Sequence, residues 1–106
     1  MSVRLTEEEF SKHLNTKFGV RLNLPEPVEL ELVEVKVRPS QPHEQQGMER
    51  FSAFFRGPAH LRLNQHTFTL THERMGEFEI FLVPVSQDER GFLYEAVFNY
   101  FKEGER

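Results

Sequence analysis

The chain has 106 residues, eleven phenylalanines, no tryptophan, no cysteine and a formal net charge of −4. The missing cysteine removes disulfides, thiol catalysis and thiolate metal sites. The interspersed charge lacks the concentrated basic face of a nucleic-acid binder, and no run approaches the roughly 20 apolar residues of a membrane helix.

Thr6 and Glu9 form the Ser/Thr-x-x-Glu pattern of a capping box, so a helix starts at Thr6. Glu7 and Glu8 suit the positive end of the helix dipole, and Phe10 and Leu14 are four apart, as on one helix face. Gly19 is the latest end of this helix. The period then changes to two. Phe18, Val20, Leu22 and Leu24 predict a half-buried strand, which Pro25 and Pro27 stop. Val28, Leu30 and Leu32 alternate with glutamates, and then Val33, Val35 and Val37 take up the opposite phase. One extra residue does this within a strand, so a β-bulge is expected near Leu32–Val33.

Residues 38–49 hold two prolines, three glutamines and a glycine, and read as a long exposed loop, first a solvated connection and otherwise a mobile or partner-binding segment. Phe51, Ala53 and Phe55 share the next strand face, Phe54 lies on the other, and Gly57-Pro58 stops the strand. Phe68, Leu70 and His72 alternate with threonines. Phe78, Ile80 and Leu82 follow after a turn, with Phe81, Val83 and Val85 on the opposite face. The last strand has Phe92, Tyr94, Ala96 and Phe98 on one side, with Leu93 and Val97 on the other. The sum is a mainly β (α+β) domain spanning residues 1–106: a small antiparallel roll or barrel of about six strands with the helix on its outside. With no secretory-type apolar stretch at its start, the expected compartment is the cytoplasm.

The two-sided strands raise a question of cover. Phe81, Val83, Leu93 and Val97 form a second apolar layer beside Phe54 and Arg56. The stripe of Phe10 and Leu14 is the expected cover, with a partner surface as the alternative. Phe54, Arg56, Phe81 and Val83 are therefore the candidate interaction residues.

Of five histidines, His66 and His72 would share a strand face about 20 Å apart at ~3.3 Å per residue, too far for one metal. His72-Glu73 has Gly76 where a zinc-protease motif needs its second histidine. His72 itself reads as a hydrogen-bonded residue at the rim of the core. No serine lies in a nucleophile-elbow setting and no glycine-rich phosphate loop occurs, so no catalytic, cofactor or metal residue is assigned.

Taken together, the stretches FFRGP (54–58), LTHERMG (70–76), FEIFLVPV (78–85) and YEAVFN (94–99) resemble a small bacterial domain family of unknown function. The resemblance implies no activity and no catalytic residue. It does imply association with genes for phage tail-collar-like proteins, and so an assembly or accessory role. Members place glycine in the turn where this chain has His66; if the backbone there has positive φ, histidine is among the better non-glycine residues to accept it. The leading functional expectation is a protein-interaction module, with a protein partner or a second copy and without nucleic acid or membrane. A carrier of a small apolar ligand between the sheets is the second, and an enzyme the third.

Overall fold

A strand whose apolar residues fall two apart has one face to bury, and a sheet that curls shut buries such faces against one another. The computed structural model describes residues 5–37 and 48–101. Among them the chain runs α1 (Glu7–Ser11), β1 (Lys17–Val20), β2 (Val28–Val37), β3 (Met48–Gly57), β4 (His66–His72), β5 (Gly76–Asp88) and β6 (Gly91–Phe101). The strands join in the order β1-β2-β3-β6-β5-β4, and antiparallel pairing of β1 with β4 closes the barrel. The chain thus takes the closed alternative. The interior is filled: Phe18, Leu30, Leu32, Phe51, Phe55, Leu70, Leu82 and Tyr94 are all fully buried.

The helix differs from expectation. Thr6 caps it, its Oγ1 accepting from the Glu9 N–H at 3.1 Å, but it ends at Ser11. Five residues make barely more than one turn, too short to persist unsupported. Support comes from Phe10, which enters the barrel instead of covering its outside. Its ring centre lies 5.4–6.5 Å from those of Phe18, Phe51, Phe55, Phe78 and Phe98. Leu14, beyond the helix, does not share its face and stays exposed. Asn15, at φ 67°, then turns the chain into β1.

β1 also stops early, at Val20, leaving Leu22 and Leu24 in the connection to β2. The Arg21 N–H still bonds the Thr69 carbonyl at 2.9 Å, but Pro25 and Pro27 lack the donors a longer ladder would need. The bulge falls where the phase flips. Leu32 pairs with Phe55 and Glu34 with Phe54, so Val33 is the extra residue and Val35 returns to the inner face opposite Ala53. A second irregularity, between Pro84 and Ser86, has no counterpart in the sequence pattern. The expected 38–49 loop lies outside the described residues up to residue 47, while Met48 and Glu49 already belong to β3.

Two turns use glycine for its backbone freedom. Gly76 (φ 81°) opens β5 after the three-residue loop that follows His72, and Gly91 (φ 140°) opens β6 after Glu89-Arg90. Positive φ at a non-glycine residue occurs, among the described residues, at Asn15 and not at His66. Gly57 is constrained by space instead. A Cβ there would stand 2.8 Å from Leu30 Cδ2 and 3.1 Å from Tyr94 Cε2.

Candidate functional site

The outer face of β3, β6 and β5 collects the candidate residues unevenly. The register places Glu34, Phe54, Glu95 and Val83 in one row across β2, β3, β6 and β5. Phe54 and Val83 are half-buried in that row. Phe81 lies two residues from Val83 on the same face of β5, opposite Thr67 of β4, and is 50% exposed. Val97, opposite Ser52, is 49% exposed. The buried Ser52 hydroxyl donates to Glu95 Oε2 at 2.7 Å, which fixes the carboxylate between the apolar side chains. With Phe10 inside the barrel, the helix does not supply the cover expected for this layer.

Arg56 belongs to a separate arrangement. Its Nη1 donates to both Asp88 oxygens, at 3.0 and 3.2 Å, linking the end of β3 to the β5–β6 turn. Asp88 Oδ1 also accepts from the Arg90 N–H at 2.8 Å. That backbone donor, with the Arg56 guanidinium, holds the Asp88 carboxyl below its ordinary range. Arg56 is thus partnered within the chain, and its charge helps secure the turn. It also lines an open groove of about 670 Å³ with Leu24, Pro27, Pro58, Leu61 and Arg90. Just beyond, the Leu63 N–H donates to the buried Tyr94 hydroxyl at 2.8 Å, and burial pushes that phenol up.

His72 sits at the opposite side of β1, at the rim of the core, its ring centre 4.3 Å from that of Phe18. Nδ1 accepts from the Arg74 and Met75 N–H groups at 3.0 and 3.1 Å. It therefore carries no proton, and Nε2–H donates to Thr16 Oγ1 at 3.0 Å. The Thr16 hydroxyl donates in turn to the His13 carbonyl at 2.6 Å. Burial and the neighbouring His13, 4.7 Å away between ring centres, lower the His72 pKa from 6.5, with Glu73 opposing them. Both ring nitrogens are engaged, so His72 is not poised as a general base. His72 is thus the hydrogen-bonded rim residue that its strand phase predicts; two donors lie in the turn that follows it, and only Thr16, 56 residues away in the chain, could not be read from the sequence.

Among the described residues no group of three or more His, Asp or Glu side chains is placed to hold a metal, and no helix is long and apolar enough to cross a membrane. The fold and this face define a six-stranded antiparallel barrel with a packed interior and apolar side chains turned outward. The model of a family described as a domain of unknown function (DUF6916) matches residues 5–98, and the chain belongs to that family. No curated protein and no solved structure matches it.

Proposed function

We propose that this domain is a protein-interaction module that docks through the outer face of β3, β6 and β5. The observation that carries the reading is the exposure of Phe81 and Val97 beside half-buried Phe54 and Val83, on a face the helix leaves open. The partner is a protein presenting an apolar strip of its own, and a second copy of this chain is the simplest case. Glu95 within the row favours a partner with a donor at that point. Arg56, spent on Asp88, lies at the border of the surface rather than in it. The motif resemblance to a bacterial family linked with phage tail-collar-like genes points to an accessory role in assembling such particles, in the cytoplasm.

The carrier reading loses support from the filled interior, since a ligand would have to displace Phe10, Phe51 or Tyr94. Light scattering and pull-downs from native lysate, on the wild type and on Phe81→Glu, test the proposal. Self-association or partner recovery that the variant abolishes, with its melting temperature unchanged, supports it. A strict monomer that recovers nothing in either form overturns it.

A further inference from the structure

We propose that His72 makes the β4–β5 turn a proton-operated clasp at one end of the barrel, closed when the imidazole is neutral and released when it is protonated. The geometry is specific. A neutral imidazole offers one lone pair, and here it receives two backbone N–H groups, those of Arg74 and Met75. An imidazolium has no lone pair, so a proton on Nδ1 would face two donors. The ring must leave or the turn must open. Either movement strains the bond from Nε2 to Thr16, which ties the turn to the segment between α1 and β1.

The turn has something to release. Met75, whose N–H is one of the two donors, buries its side chain in the core at 3% exposure. Phe18, fully buried, lies against the His72 ring. The clasp also borders an open groove of about 540 Å³, so its release would connect that groove with apolar surface.

The charges around the ring come from every neighbouring element. Glu73 and Arg74 lie in the turn, His13 precedes β1, and Lys17 of β1 and Glu29 of β2 line the groove. Glu73 favours the imidazolium, while His13 and Arg74 oppose it. The net direction is downward from 6.5, with loss of solvation as the largest cause. A base with a lowered folded-state pKa binds more protons unfolded. Its stabilisation is therefore complete above the ordinary 6.5 and fades as pH falls through that value toward the folded one.

The test is hydrogen exchange by NMR at about pH 7.5 and about pH 5, corrected for the intrinsic pH dependence of exchange. Protection of the Met75 amide should fall roughly tenfold in the wild type, the equivalent of one hydrogen bond's net contribution. In His72→Asn, whose side-chain oxygen accepts from the same donors without titrating, it should stay level. Unchanged protection in the wild type, or an equal fall in the variant, overturns the proposal. The ring nitrogen shifts of wild-type His72 decide independently of whether the variant folds. A neutral Nε2–H tautomer titrating below 6.5 supports the clasp, and an Nδ1–H tautomer or a higher midpoint overturns it.

Discussion

At the scale of single residues, the tightest constraint is a pair of glycines. Gly57 ends β3 and Gly91 begins β6, and a Cβ on Gly91 would stand 1.9 Å from the Gly57 carbonyl oxygen. The obstruction is backbone, which cannot rotate away, and φ 140° is itself unfavourable for any side chain. At Gly57 the nearest atom is Leu30 Cδ2, the far end of a flexible side chain. The two positions should therefore respond differently to the same methyl group. Gly91→Ala is expected to cost roughly 3 kcal/mol or more, and Gly57→Ala about 1–2 kcal/mol. Melting temperatures read the ranking directly, at about 4–8 °C per kcal/mol for a domain near this size. If Gly57→Ala were the more damaging, the close approach to the Gly57 carbonyl would not be the governing contact. Gly57-Pro58 reads from sequence as the end of a strand, and it is one. What the strand end touches could not be read, because Gly91 lies in another hairpin.

At the scale of elements, α1 acts as a carrier for one side chain. Its cap and acidic first turn were legible, being short-range signals along the chain. Its destination was not. Spacing names a stripe but not the surface that receives it, and Phe10–Leu14 spacing cannot reveal a helix that stops at Ser11. The same contrast holds for strands. The bulge at Val33 was legible because it inverts an otherwise regular alternation. The shift at Val85 was hidden, because the residues after it are polar and carry no phase. The outward layer of the candidate face was legible from the two-sided strands, and that the helix does not cover it followed only once Phe10 had a place inside. Phe10→Ala should consequently behave as a core truncation and cost about 3–5 kcal/mol. Leu14→Ala, on an exposed residue, should stay within about 0.5 kcal/mol. Chemical denaturation of the two variants separates a helix that plugs the barrel from one that lies along its outside, where both would cost alike.

At the scale of the whole molecule, closure is unequal around the ring. β3 and β6 pair at ten positions, from Met48 with Phe101 to Gly57 with Phe92. β1 and β4 pair at two, Gly19 with Thr71 and Val20 with Leu70, aided by the Arg21 N–H to the Thr69 carbonyl. An ion pair of Arg21 with Glu77 spans the same region, but both side chains are largely exposed and add little. The strands that meet at this seam are distant in sequence, so closing it costs loop entropy that few bonds offset. Close approach is its other requirement, for a Cβ on Gly19 would stand 2.8 Å from Thr71 Oγ1. Opening of the seam should therefore precede global unfolding. In native-state hydrogen exchange the Arg21 amide should exchange well before the inward-facing β3–β6 pairs such as Phe55 with Tyr94, whose opening should approach the global free energy. Gly19→Val should widen that gap, lowering protection at the seam while leaving β3 and β6 near their wild-type values. Equal protection at both places would mean that the ring opens and closes as one cooperative unit. A seam that yields first would instead leave β3, β6 and the adjoining part of β5, which form the proposed docking face, as the firm side of the barrel.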